Sequence, residues 1–97
     1  MKADYDSKGD TIQIDLEPGG RIDYGDDETD DWLVIGIRDG RPVRIDVIGT
    51  GGDLEKSFRT AARRYSLDAQ ALLAAARAAL AAPDREVAVD VGVRAAA

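Results

Sequence analysis

The chain contains no cysteine and no histidine in 97 residues. Without cysteine there can be no disulfide, no thiolate metal ligand and no thiol nucleophile. Without histidine the usual general base near neutral pH and the usual transition-metal ligand are both missing. The lack of disulfides fits a reducing compartment. No apolar run approaches the about 20 residues that cross a bilayer, and Met1-Lys2-Ala3-Asp4-Tyr5 lacks the apolar centre of a secretory signal. The expectation is a cytoplasmic protein with no membrane partner. A length of 97 residues suits one domain, residues 1–97, and is short for two.

Acidic side chains outnumber basic ones 19 to 13, a formal net charge of −6. The excess is unevenly spread. Residues 1–55 hold 15 acidic and 6 basic side chains, net −9, and residues 56–97 hold 4 and 7, net +3. An acidic body disfavours contact with phosphate backbones and suits a basic partner. The polarity is also compatible with head-to-tail self-contact and a homodimer.

Hydrophobic periodicity divides the chain in two. Residues 1–48 read as a β-meander. Ala3-Asp4-Tyr5-Asp6 is a short edge strand, and Ser7-Lys8-Gly9-Asp10 is a turn with Gly9 available for positive φ. Ile12, Ile14 and Leu16 then alternate with Gln13 and Asp15, the pattern of a half-buried antiparallel strand. Arg21-Ile22-Asp23-Tyr24 is a further short strand, and residues 25–31 are too charged to be anything but loop. The runs 32–37 and 42–48 flank Asp39-Gly40, a tight hairpin signal. Trp32, followed by Leu-Val-Ile, reads as core.

Residues 53–82 carry helical spacing. Leu54, Phe58, Ala61, Ala62 and Tyr65 form a stripe at i, i+4, i+7, i+8 and i+11, behind Asp53 as N-cap or first-turn anion. Ser66 is the expected N-cap of a second, alanine-rich helix that Pro83 ends. Val87, Val89, Val91 and Val93 recur at period 2, predicting a last strand over 86–93 that joins the same sheet. The predicted class is α+β: a mainly antiparallel sheet of about five strands, with two helices on one face and a C-terminal strand.

Several of these residues carry a resemblance. Met1-Lys2 leading to Tyr5-Asp6, Asp10 after the turn, Ile12-Gln13-Ile14-Asp15-Leu16 and the Asp39-Gly40 hairpin resemble the small bacterial proteins of the domain of unknown function 2283 family. Val43-Arg44-Ile45-Asp46-Val47-Ile48 is similar to that family's Gly-Ile-Glu-Ile-Leu ending, without its glycine. The resemblance spans residues 1–48 and implies the sheet. It brings no catalytic residues.

Three motifs invite a chemical reading. Asp26-Asp27-Glu28-Thr29-Asp30-Asp31 places five carboxylates in six residues. The spacing lacks the alternate ligands and central glycine of a calcium loop, so no metal is expected there. The run reads as a solvated loop or as a docking surface, with Asp26, Asp27, Glu28, Asp30 and Asp31 the candidate contacts for a basic protein. Lys56, Arg59, Arg63 and Arg64 form a basic helix face. With residues up to 77 it loosely resembles a helix-turn-helix, but the second helix would offer DNA bases only Gln70 and Arg77 among alanines. Gly49-Thr50-Gly51-Gly52 lacks the lysine-hydroxyl ending of a phosphate loop and reads as a connector. Pairs such as Asp4/Asp6 and Asp10/Asp15 resemble acid–base dyads, but 19 acidic residues make such pairs inevitable.

With no catalytic residue and no cofactor expected, the sequence favours a non-catalytic interaction module, antitoxin-like or an accessory subunit, that binds a basic protein. The alternative is a nucleic-acid-binding regulator using residues 56–77.

Overall fold

The Asp39-Gly40 pair closes its hairpin with φ of 52° and 75°. Positive φ at both central positions is the signature of the type I′ turn, whose twist matches that of paired strands. In the computed structural model, which describes residues 1–27 and 32–89, this hairpin joins β4 (Leu33–Arg38) to β5 (Arg41–Ile48). Pro42, which has no N–H to give, sits beside the register shift between Gly36 and Ile37.

The other strands are β1 (Lys2–Asp6), β2 (Thr11–Asp15), β3 (Tyr24–Asp26) and β6 (Glu86–Ala88). They form one sheet in the order β3-β4-β5-β2-β1-β6, and every described pairing is antiparallel. The valine segment thus joins the predicted sheet through Ala3↔Val87, and residues 90–93 of the expected strand lie outside the described residues. β1 is not an edge, because β6 covers its outer side.

Helix α1 (Leu54–Tyr65) and helix α2 (Ala69–Ala81) cover one face of the sheet, α2 lying against β1 and β2. Asp53 caps α1, its side chain accepting from the Lys56 N–H. Ser66 does not start α2. It ends α1 in the left-handed conformation, φ 55°, with its N–H on the Ala62 carbonyl. Asp68 is the N-cap of α2 and accepts from the N–H groups of Gln70 and Ala71. Asp68 directly precedes the helix in extended backbone, φ −92° and ψ 108°, whereas Ser66 is already engaged at the end of α1.

The covered face holds the core. Ile12, Ile14, Leu33, Ile35, Ile45 and Val47 pack against Phe58 and Leu72, all at or below 1% exposure. Burying each of the larger of these side chains contributes about 1.5–3 kcal/mol. Ala75, Ala76 and Ala79 are fully buried too, so the small side chains of α2 let it sit close to the strands.

Two polar latches tie the connecting segments to this frame. Asp10, at φ 49°, accepts from the Tyr5 hydroxyl at 2.8 Å, the Thr50 hydroxyl at 2.6 Å and the Thr50 N–H at 3.1 Å. Asp84 accepts from the Ser7 N–H at 2.9 Å and the Ser7 hydroxyl at 2.7 Å. Asp10, not Gly9, takes the positive φ of the β1–β2 turn. Gly9 meets a different need, since a Cβ there would lie 2.9 Å from the Asp6 carboxylate.

Candidate interaction face

Strand alternation sends one set of side chains to the helices and the other to the opposite face, which no described helix covers and which is called the uncovered face. On that face the register aligns two rows across the strands. Glu86, Asp4, Gln13, Asp46 and Val34 form one row, and Ala88, Lys2, Asp15, Arg44 and Gly36 form the next. Three aspartates from three strands therefore surround Gln13.

Crowding shows in their acidities. The Asp46 carboxyl is raised above its ordinary value by burial first and then by Asp15 and Asp4, against the lowering pull of Arg44. Asp4 is raised as well, by burial and by the charges of Asp15, Glu86 and Asp6. In both, burial is the larger cause and the neighbouring carboxylates add to it. The cations nearby are only partly effective. Arg44 Nε lies 3.3 Å from Asp46 Oδ2, close enough for attraction but not aligned as a hydrogen bond. Lys2 is 3.3 Å from Glu86, with both side chains well exposed.

Beyond this cluster the surface turns apolar. Trp32 precedes β4 and lies opposite Ile48, whose N–H donates to the Trp32 carbonyl at 2.7 Å. Trp32 is 57% exposed and Ile48 45%. The expectation of a core tryptophan is therefore corrected: Leu33 and Ile35 take the buried positions, and alternation turns Trp32 outward. Its ring packs 3.7 Å from the Cβ position of Gly49.

At the opposite end of the face a loop overhangs. Residues 17–23 are held by Arg41 on Glu17 at 3.2 Å, Arg21 on Asp39 at 2.9 Å, and the Arg38 guanidinium on the Pro18 carbonyl at 3.1 Å. Ile22 reaches from this loop over Gly36, where a Cβ would lie 2.8 Å from its methyl. Between loop and strands lies an open recess of about 580 Å³, lined among others by Lys2, Gln13, Asp15, Ile22, Arg44 and Glu86.

No family model, curated protein or solved structure matches the chain.

The acidic segment expected to be a docking loop is divided. Asp26 belongs to β3, not to a loop, and its side chain is 7% exposed. It accepts from Arg64 Nε at 3.0 Å and from the Tyr65 hydroxyl. The Tyr65 phenol is raised, by burial first and then by this hydrogen bond. Asp27 is exposed after the strand, and Glu28, Asp30 and Asp31 lie outside the described residues. On α1, Lys56, Arg59, Arg63 and Arg64 are all exposed at the residue level. Arg59 is 3.5 Å from Glu55, and Arg64 is committed to Asp26. One member of each candidate surface is thus consumed by the other.

Nothing local in the sequence marks Asp4, Asp15, Asp46, Trp32 and Ile48 as one surface. The available signal was the polar half of each strand's alternation, and only the sheet order brings those halves together. Among the described residues, no group of three or more acidic side chains is arranged to hold a metal ion.

Proposed function

We propose that the chain is a non-catalytic protein-interaction module and that the uncovered sheet face receives a basic partner. The observation that carries this reading is the pairing on one surface of the Asp4–Asp15–Asp46 cluster with exposed Trp32 and Ile48. A cation from a partner relieves the repulsion among these carboxylates, while the apolar end supplies burial. This reading favours the sheet face over the 26–31 segment, of which Asp26 is spent on Arg64 and Tyr65.

Calorimetric titration with oligolysine at low salt tests the assignment. Asp4→Asn, Asp15→Asn and Asp46→Asn together should abolish most of the heat, while Asp27→Asn, Asp30→Asn and Asp31→Asn together should retain it. The reverse ranking would return the site to the acidic segment. Duplex DNA should give no heat. A saturable, salt-dependent signal lost on Lys56→Ala and Arg63→Ala would favour the nucleic-acid reading instead.

A further inference from the structure

The partner's shape is written into the spacing of this face. Main-chain groups of β5, β2 and β1 are bonded to strands on both sides, so no strand can be added there. The two edges, β3 and β6, are three residues each. A partner must therefore lay side chains onto the face. Strands are about 4.8 Å apart, so Val34, Asp46, Gln13 and Asp4 recur at about 4.8 Å along one line across the sheet. A helix brings side chains back to one side every turn, about 5.4 Å. An extended chain does so only every second residue, about 6.6–6.8 Å, and falls out of step sooner. From β4 to β1 is about 14 Å, between two and three helical turns.

We infer that the partner element is a basic amphipathic helix laid across the strands, its apolar residues on Trp32, Val34 and Ile48 and its lysines or arginines over Asp46, Asp15 and Asp4. The inference rests on the docking reading above and specifies its occupant. Charge complementarity sets the polarity of the helix: apolar at the end over Trp32, Val34 and Ile48, cationic over Asp46, Asp15 and Asp4. The sheet already accepts helices on its other face, where the apolar set of the same strands receives α1 and α2. The uncovered face differs in asking for charge at one end.

Trp32, the chain's one tryptophan, reports directly on the apolar end. The probe is a synthetic peptide of about 15 residues with leucine and lysine at helical spacing, compared with a scrambled peptide of identical composition. Tryptophan emission should shift to the blue and saturate with the patterned peptide. The scrambled peptide should bind at least about tenfold more weakly, roughly 1.4 kcal/mol. Asp4→Asn with Asp46→Asn should weaken the patterned peptide by a similar factor, and so should Ile48→Ser, with circular dichroism confirming that each variant is folded. Equal binding of the scrambled peptide, still dependent on Asp4 and Asp46, would overturn the helical occupant and leave the docking reading standing. Insensitivity to Ile48→Ser would likewise overturn it. Binding of both peptides unaffected by Asp4→Asn with Asp46→Asn would overturn inference and docking reading together.

Discussion

Asp26 and Tyr65 are 39 positions apart in the chain and joined by a hydrogen bond, with Arg64 completing the contact. This links β3, the edge strand, to the C-terminal turn of α1. It turns a carboxylate from an acidic run into a structural tie.

Removing that tie should therefore destabilise the fold. Asp26→Ala should cost about 1–3 kcal/mol, the range for leaving buried or charged partners unsatisfied, and Tyr65→Phe about 0.5–1.5 kcal/mol. Asp27→Asn should be neutral. Urea unfolding of the three variants measures the ranking, and an Asp26→Ala variant as stable as Asp27→Asn would remove the structural role.

The acidic face should behave in the opposite sense. Burial and neighbouring charge disfavour the Asp46 carboxylate, so Asp46→Asn should stabilise by about 0.5–2 kcal/mol, in the range of other surface-charge relief, while weakening the docking of cations. Gain of stability with loss of binding is the signature of a surface kept strained for function. A destabilised Asp46→Asn would mean that the Arg44 contact outweighs the repulsion.

The pH response follows from the same groups. Asp4 and Asp46 have native pKa values raised above 3.8. The native state then binds protons more readily than the unfolded chain, so these two add stability as pH falls through their native values toward 3.8. Asp10 and Asp84 are lowered by their hydrogen bonds to Thr50 and Tyr5 and to Ser7. Their contribution is full above 3.8 and is lost as pH falls through their lower native values. Stability should hold or rise on mild acidification and then fall. Asp4→Asn with Asp46→Asn should remove the rise and keep the fall, as read by unfolding midpoints across pH.

Ser66 offers a test of backbone strain. It holds φ 55° at the α1 C-terminus, a conformation that costs a residue with a Cβ about 1–2 kcal/mol. Ser66→Gly should therefore stabilise, by about 0.5–1 kcal/mol once glycine's greater unfolded entropy is subtracted. A destabilised Ser66→Gly would show that the Ser66 hydroxyl does more than the backbone requires.

Much of the architecture is legible in the sequence because it rests on local rules. The alternation of Ile12 and Ile14, the Asp39-Gly40 turn, the Asp53 cap and the Leu54–Tyr65 stripe each express a period or a conformational need within a few residues. Ser66 is ambiguous in the sequence because both ends of a helix favour small polar residues, and the position of Asp68 at the start of α2 decides which end Ser66 caps. Trp32 and Asp26 depart from the sequence expectation for a deeper reason. Composition placed the tryptophan inside and the carboxylate outside, but strand phase overrides composition: Leu33 and Ile35 face α1 and α2, so Trp32 faces out. Asp26, opposite Ile35, faces in and finds Tyr65. The docking face was hidden because Asp4, Asp15 and Asp46 come from strands adjacent only through the order β5-β2-β1.

The most direct test of the docking face is amide chemical-shift mapping by NMR during titration with the patterned leucine–lysine peptide. Shifts are expected at Asp4, Gln13, Asp15, Trp32, Asp46 and Ile48, with Lys56, Arg59, Gln70 and Arg77 on the helical side unmoved. Shifts confined to residues 56–77, or to Asp27 and its neighbours with the sheet face silent, would contradict it.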